Sequence, residues 1–113
     1  PRWSRGDAAE TMIRDAKLLE ESGADMILLE CVPSALGAEI TANANVPVIG
    51  IGAGPDTDGQ ILVIYDILGL SPGRKPRFVK NYMDGAGTLD EAATNYVAEV
   101  KNGSYPGAEH AFS

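Results

Sequence analysis

The sequence predicts an α/β protein with a parallel sheet. Two apolar runs, residues 26–29 and 46–51, show no polar alternation, which is typical of strands buried on both faces of such a sheet. Segments with helical spacing of apolar residues precede, separate and follow these runs. Alternating helices and strands are the pattern of α/β folds. Two or three strands do not complete a sheet of this kind, so we expect the 113 residues to be part of a larger fold.

The first predicted helix covers about fourteen residues from Ala9, with apolar positions at helical spacing up to Leu19. Asp7 lies three residues before Glu10, in the arrangement of a capping box. Gly23 follows the last turn and is the expected terminating residue.

The first strand, residues 26–29, runs into Glu30 and Cys31. Ser34 is then the predicted N-cap of a second, shorter helix that ends at residues 43–45. Residues 46–51 form the second strand, and a tight loop over residues 52–55 follows it.

Residues 60–70 are ambiguous. Residues 61–65 favour a third buried strand through their β-branched content, and residues 66–69 favour a helical turn ended by glycine. Only the loop between residues 51 and 60 separates the second strand from this segment, which is too short for a crossover helix. Residues 71–76 are a predicted loop, and residues 78–83 a short helix.

The last helix is the best delimited. Thr88 and Glu91 form a capping box at its start, and Gly103 ends it. No periodicity is present in residues 104–113. The predicted apolar face of the helix comprises Leu89, Ala92, Ala93, Tyr96, Val97 and Val100.

Composition limits the classes of function. Nine Lys and Arg against sixteen Asp and Glu give a net charge of −7, which argues against nucleic acid or an anionic membrane as a partner. The single cysteine argues against a disulfide-stapled secreted domain. We find neither a membrane span nor a signal-peptide pattern in the sequence. These features predict a soluble, cytoplasmic protein.

Glu30 is the sharpest candidate for chemistry. Its carboxylate follows a wholly apolar strand, and reactions in α/β sheets and barrels take place at that end of the strands. Apolar surroundings would make it a stronger base, suited to proton removal near neutral pH. A strand-end glutamate that simply faces solvent is an equally weighted interpretation.

The glycine-rich loop at residues 50–54 is the second candidate. Gly52, Ala53 and Gly54 allow the backbone to approach a ligand closely and leave N–H groups for an anion. A tight turn that needs positive φ explains the same glycines. The loop lacks the dinucleotide-binding pattern, since no long helix begins directly after it.

The other polar residues have structural interpretations. Asp56, Asp58 and Asp66 do not match a calcium loop, and we favour turn capping for the first two. Cys31 is expected to be a small buried residue, because no histidine lies nearby in the sequence to activate it. His110, the only histidine, is expected at the surface.

Two further features have weaker interpretations. The basic cluster, Arg74 to Lys80, is expected to be a solvated loop, with an anionic ligand as the minority interpretation. Trp3 has no assigned role.

Four segments closely resemble the ketopantoate hydroxymethyltransferase family, and together they extend the similarity from about Gly6 to the end of the chain. The segments are residues 28–33 (LLECVP), 46–54 (VPVIGIGAG), 57–63 (TDGQILV) and 105–112 (YPGAEHAF). Residues 1–4 do not resemble the family. The resemblance implies a (β/α)₈ TIM barrel of the phosphoenolpyruvate/pyruvate type, of which residues 1–113 would be the C-terminal half of a single domain.

The resemblance also implies a reaction. The family transfers a hydroxymethyl group from 5,10-methylenetetrahydrofolate, the co-substrate, to α-ketoisovalerate and gives ketopantoate, with Mg²⁺ bound. Glu30 matches the catalytic base. The Mg²⁺ ligands and the residues that hold the keto acid lie on earlier strands of the family, and those motifs are absent here. We therefore expect no metal ligand in this chain, little or no activity from it alone, and a requirement for an N-terminal half-barrel. The full-length family forms homo-oligomers.

Two alternatives remain at this point. One is a non-catalytic half-barrel that acts as an oligomerising or scaffold unit through its open strand edges. The other is a different barrel enzyme that binds a phosphorylated substrate on the Gly52–Gly54 loop.

Overall fold

The computed structural model describes residues 6–113, which contain a three-stranded parallel sheet with helices packed on one face. The elements in chain order are α1 Gly6–Glu21, β1 Ile27–Glu30, α2 Ser34–Asn43, β2 Val48–Ile51, β3 Gly59–Gln60, α3 Ile64–Ile67, α4 Leu89–Asn102 and a 3₁₀ turn at Ala108–His110. The α/β class with a parallel sheet is confirmed.

The strand order is β1-β2-β3, and both pairings are parallel. Helix α2 connects β1 to β2, whereas β3 follows β2 after a short loop without a helix. Glu30 lies beside Ile51 in the register, and Gly50 lies beside Gln60. The carboxyl ends of β1 and β2 therefore meet at one edge of the sheet.

The prediction that the first strand is buried on both faces is wrong for the described residues. Ile27 and Leu29 are buried against α1 and α2, but Leu28 is 57 % exposed. Successive side chains of a strand point to opposite faces, so Leu28 belongs to a face that no described helix covers. We call this the open face of the sheet.

Helix α1 begins before the predicted position and ends as predicted, near Gly23, which has a φ of 107°. Ala16 is buried in the core, but Leu19 of the predicted apolar stripe is exposed. The predicted capping box is absent among the described residues, because the Asp7 carboxylate accepts from the Ala8 N–H instead.

Helix α2 forms where predicted, but its N-cap is Pro33 rather than Ser34. Ser34 is the first helical residue, and its hydroxyl makes no capping hydrogen bond. The side chains of Leu36 and Ile40 are buried and pack the helix against the sheet.

The predicted third strand at residues 61–65 is wrong. The strand β3 is only the pair Gly59–Gln60, and Ile61 makes the last contact with the sheet through its N–H bond to the Gly50 carbonyl at 3.0 Å. The chain then leaves the sheet and forms the short helix α3. Val63, Ile64 and Tyr65 are exposed, so their β-branched and aromatic character does not reflect burial in a sheet.

The predicted helix at residues 78–83 is also wrong. Two separate turns form instead, with hydrogen bonds from the Val79 N–H to the Pro76 carbonyl and from the Ala86 N–H to the Met83 carbonyl. Val79 and Tyr82 are buried, so tertiary packing shapes this segment.

Helix α4 agrees with the prediction at both ends. The Thr88 hydroxyl accepts from the Glu91 N–H at 3.1 Å, and Gly103 ends the helix with a φ of 84°. The Glu91 carboxylate accepts from the Gly87 N–H at 3.0 Å rather than from the Thr88 N–H, so only half of the predicted capping box forms. Of the predicted apolar face, Ala92 is buried, while Leu89 and Val97 are exposed.

Most of the buried apolar residues belong to two separate clusters. The sheet core joins α1, β1, α2 and β2, and the α4 core joins α3, α4 and the segments around Tyr82 and Tyr105. Within residues 6–113 no helix is both long and apolar enough to span a bilayer.

Candidate active site

Glu30 is the last residue of β1 and lies at the carboxyl edge of the sheet. It alternates with the buried Leu29 and is exposed, so its side chain is on the open face together with Leu28. The apolar walls expected around the carboxylate are therefore not supplied by the described residues. The position itself is one from which a carboxylate can reach a ligand bound above the sheet.

Cys31 changes the direction of the chain directly after Glu30. Its φ of 54° is the only positive value at a non-glycine residue in the described part of the chain. Its N–H donates to the Ile51 carbonyl at 2.9 Å, which extends the β1–β2 ladder by one bond. Cys31 is half-buried rather than fully buried, and burial, followed by the nearby Glu30 carboxylate, raises the pKa of its thiol. The thiol is thus a poor nucleophile at neutral pH.

The glycine-rich loop follows β2 at the same edge, and all three candidate residues are buried. Gly52 and Gly54 have φ values of 68° and 81°. A Cβ on Gly52 would lie 3.0 Å from the Phe78 ring, and one on Gly54 would lie 2.5 Å from the Ser34 hydroxyl oxygen. The glycines are therefore required by positive φ and by close packing, whether or not a ligand approaches them.

Ala53 anchors the middle of this loop to α2. A Cβ on Gly37 would lie only 2.5 Å from the Ala53 carbonyl oxygen, so α2 approaches the loop backbone through this glycine. The loop is thus held between α2 below and Phe78 above.

Gln60 holds the loop from the other side and was not singled out in the sequence. Its side-chain amide donates to the Gly54 carbonyl at 2.8 Å and to the Thr57 hydroxyl at 3.0 Å. Its register partner is Gly50, which lies beside Leu29 on the helix-covered face. Gln60 therefore supports the loop from behind the sheet, away from Glu30. Gln60 begins the ambiguous segment and belongs to the family-like segment 57–63, but neither feature indicated this role.

Two of the three aspartates, Asp58 and Asp66, accept hydrogen bonds within the fold. The Asp58 carboxylate accepts from the Val48 N–H, ten residues away at the start of β2, at 2.9 Å, so its role differs from the local turn capping that was predicted. Asp66 accepts from the Ser71 hydroxyl at 2.6 Å, and Asp56 is exposed. No three His, Cys, Asp or Glu side chains within residues 6–113 are grouped closely enough to hold a metal ion.

The prediction that His110 lies at the surface is wrong, because its side chain is only 15 % exposed. Its Nδ1 atom accepts from the Gly107 N–H at 3.0 Å, and its ring centre lies 5.0 Å from that of Tyr105. Burial is the largest cause of a lowered pKa of His110. His110 therefore stabilises the tail.

The basic cluster divides into two parts. Arg74, Lys75 and Arg77 are exposed, in agreement with a solvated loop, whereas Lys80 is half-buried and bonded to Glu99 at 2.9 Å. The Tyr82 hydroxyl also donates to Glu99, at 2.6 Å. These two bonds lower the pKa of Glu99, with the bond from Tyr82 as the larger cause. Trp3 lies outside the described residues.

Comparisons with known proteins agree with the resemblance. Residues 3–108 match the family model described as ketopantoate hydroxymethyltransferase. The chain is 57 % identical over 105 residues to the 3-methyl-2-oxobutanoate hydroxymethyltransferase of Alkalilimnicola ehrlichii, a match that covers 93 % of this chain and 38 % of that protein. It is 61 % identical over 106 residues to the protein of the same name from Pseudomonas fluorescens, covering 93 % and 40 %. The chain thus spans about two fifths of the length of these curated relatives.

Proposed function

The chain belongs to the ketopantoate hydroxymethyltransferase family, and we propose that it contributes the general base to that reaction. The reaction transfers a hydroxymethyl group from 5,10-methylenetetrahydrofolate to 3-methyl-2-oxobutanoate (α-ketoisovalerate) and gives 2-dehydropantoate (ketopantoate) for pantothenate and coenzyme A biosynthesis, in the cytoplasm. The observation that carries the proposal is the position of Glu30, exposed at the carboxyl end of a parallel strand and on the open face.

We infer that residues 1–113 are the C-terminal half of a (β/α)₈ barrel of the phosphoenolpyruvate/pyruvate type. In such a barrel the helices lie outside, the other face of the sheet lines the interior, and the active site lies at the carboxyl edge. The parallel order β1-β2-β3, the helices on one face and the exposed Leu28 and Glu30 on the other support this arrangement. The two-fifths coverage of the relatives agrees with it.

The chemistry requires a base. The Glu30 carboxylate removes the proton from the carbon next to the ketone, and the electron pair of that C–H bond forms an enolate. Hydrolysis of methylenetetrahydrofolate breaks the two C–N bonds of the one-carbon unit, so that the water oxygen leaves with the carbon as formaldehyde and the two water protons remain on the nitrogens of tetrahydrofolate. The enolate carbon then bonds to the formaldehyde carbon, and the C=O π electrons move onto the oxygen as an alkoxide. The proton held by Glu30 returns to the new alkoxide oxygen, so the base is regenerated.

A magnesium ion would supply electrophilic assistance at the keto oxygen in this family. The residues described here do not fit a Mg²⁺ site, because no three carboxylate, histidine or cysteine side chains among them are grouped closely enough. We therefore assign no step of this chain to the metal. We propose that the metal ligands and the keto-acid-binding residues come from an N-terminal half-barrel, and that this chain alone has little or no activity.

The test measures ketopantoate formation from α-ketoisovalerate, methylenetetrahydrofolate and Mg²⁺. The chain is assayed alone and after mixing with an N-terminal half from a family member, with Glu30→Gln as the test variant and Glu39→Gln, an exposed glutamate of α2, as the matched control. We expect turnover only in the mixture, a loss of at least about 100-fold with Glu30→Gln, and no change with Glu39→Gln. Full activity of the Glu30→Gln mixture would exclude Glu30 as the base.

One observation favours a second candidate function. The open face exposes Leu28, and β1 has no described neighbour on its outer edge. Apolar faces and free strand edges also promote association, so a non-catalytic half-barrel that oligomerises is the alternative. A stable homo-oligomer that stays inactive when the N-terminal half is added would favour it. In the first proposal, homo-oligomers form only from the completed barrel.

A further inference from the structure

The alternation of faces along β1 breaks directly after Glu30. In a regular strand every second side chain lies on the same face, so Leu28, Glu30 and Val32 would all lie on the open face. Leu28 and Glu30 are exposed there, but Val32 is fully buried and belongs to the sheet core. The break coincides with Cys31, whose φ of 54° ends the extended conformation. Cys31 therefore separates an exposed carboxylate from a buried anchor.

The segment before this break is held by β2. Glu30 lies beside Ile51 in the register, and the Cys31 N–H donates to the Ile51 carbonyl at 2.9 Å. Leu29, one residue earlier, is buried in the sheet core. The peptide that carries the Glu30 side chain is thus fixed to the neighbouring strand on one side and to the core on the other.

The segment after the break is held by the tail. The Ser34 N–H donates to the Phe112 carbonyl at 2.9 Å, and Pro33 forms a parallel bridge with Phe112. The ring of Pro33 restricts its own φ, which is −56°. The Arg77 guanidinium carbon lies 5.7 Å from the centre of the Phe112 ring and packs on it. Little freedom for a change of direction is left on this side.

The change of direction therefore falls on a single residue. A residue other than glycine rarely enters the left-handed region and stays there only where the surroundings impose it. At Cys31 the surroundings are the bond to Ile51 before it and the buried Val32 after it. Such residues are frequent at functional sites, and this one is adjacent to the candidate base.

We propose that Cys31 is a positioning residue for the base: its left-handed backbone keeps the Glu30 carboxylate on the open face while Val32 is anchored in the core. This inference rests on the proposed function, in which Glu30 removes the proton at this edge. A base must be held within reach of the proton that it takes, and a displacement of about 1 Å can cost a large factor in rate. The backbone of residue 31, and not its thiol, carries the role.

The first test measures ketopantoate formation by the mixture of the chain with the N-terminal half. Asparagine and glycine enter the left-handed region readily, whereas a β-branched residue does not. We expect Cys31→Asn and Cys31→Gly to keep kcat within about threefold, and Cys31→Val to lower kcat at least about tenfold. The KM for α-ketoisovalerate should change less than about twofold in all three variants, because the residues that hold the keto acid come from the other half.

A control separates positioning from loss of stability. Ala92→Gly removes a buried methyl group and weakens α4 in the other core, so it should leave kcat of the folded protein within about twofold. Cys31→Thr, which is β-branched and close to cysteine in size, is used if Cys31→Val does not fold. A tenfold loss with Cys31→Asn, or full kcat in the β-branched variants, would overturn the positioning role.

Hydrogen exchange on the chain tests the geometry without turnover. A residue that resists the left-handed conformation must loosen one of two bonds, from the residue 31 N–H to Ile51 or from the Ser34 N–H to Phe112. We expect one of these amides to exchange at least about tenfold faster in Cys31→Val than in Cys31→Asn, after correction for intrinsic rates. Equal protection in the two variants would overturn the proposal. An unaltered mixture without turnover contradicts the proposed function, whereas turnover with equal protection and equal kcat contradicts only the role of Cys31.

Discussion

Asp58 and Val48 exchange two hydrogen bonds across the loop between β2 and β3. The Val48 N–H donates to the Asp58 carboxylate at 2.9 Å, and the Asp58 N–H donates to the Val48 carbonyl at 2.9 Å. Val48 is fully buried, so the start of β2 relies on this side chain for an acceptor. The two hydrogen bonds hold Asp58, at the end of the loop, against the first residue of β2.

Replacing Asp58 by alanine should therefore destabilise the fold. The buried Val48 N–H would lose its acceptor, which costs about 1–3 kcal/mol. Urea denaturation followed by circular dichroism measures this loss. Asp56→Ala, at an exposed position in the same loop, should change the free energy of unfolding by less than about 0.5 kcal/mol. Equal effects of the two changes would contradict the role of Asp58.

Gly37→Ala sets two effects against each other. Alanine in a helix gains about 1 kcal/mol over glycine, but the new Cβ would lie 2.5 Å from the backbone carbonyl oxygen of Ala53. Overpacking against backbone costs about 1–3 kcal/mol or more, so we expect net destabilisation. Ala42→Gly, at an exposed position of α2, calibrates the propensity difference. A more stable Gly37→Ala protein would show that α2 does not approach the loop this closely.

Cys31 should tolerate asparagine better than valine. Its φ of 54° is in the left-handed region, which asparagine enters readily and a β-branched residue does not. We expect Cys31→Val to be less stable than Cys31→Asn by about 1–2 kcal/mol. Thermal unfolding of the two variants makes the comparison, and the reverse order would mean that Cys31 has an extended backbone.

Acid should loosen the tail through His110. Burial lowers the pKa of this residue in the folded state, whereas the unfolded chain has the usual value of about 6.5. At pH values above that, His110 is neutral in both states, and its titration takes nothing from the stability of the folded state. As the pH falls below it, the unfolded state takes up the proton more readily and stability is lost, until the folded-state pKa is passed. The charged groups that act on the ring are Glu109, Lys80, Lys75 and Glu99.

Protonation at Nδ1 would also remove the acceptor of the Gly107 N–H. Denaturation curves between pH 7.5 and 5, a range set by this expected titration, measure the effect. His110→Gln should flatten the pH dependence in this range. An unchanged slope in that variant would assign the acid sensitivity to other groups.

The sequence predicted the elements that local rules specify. Thr88 and Gly103 delimit α4 because a hydroxyl cap and a left-handed glycine act within one turn. The parallel strands β1 and β2 were evident from their apolar runs, and Glu30 was correctly placed at a strand end.

The errors arose where distant packing overrides local preference. Residues 61–65 have strand composition, but β2 pairs with Gly59 and Gln60, which precede them, and Ile64 begins a helix instead. Tyr82 is drawn into a buried cluster, which prevents a helix at residues 78–83. Gln60 and Arg77 depend on partners from other segments, Gly54 and Phe112, and no local pattern reveals such contacts.

The division of the buried residues into a sheet core and an α4 core has a consequence for cooperativity. No buried residue belongs to both cores, and the contacts between them include the bond from the Tyr96 hydroxyl to the Gln60 carbonyl at 3.3 Å and the packing of Phe78 on Gly52. We expect two such units to open with separate free energies, which native-state hydrogen exchange reports. The amides of α4 should exchange as one group and those of β1 and β2 as another, so the molecule would behave as two foldons.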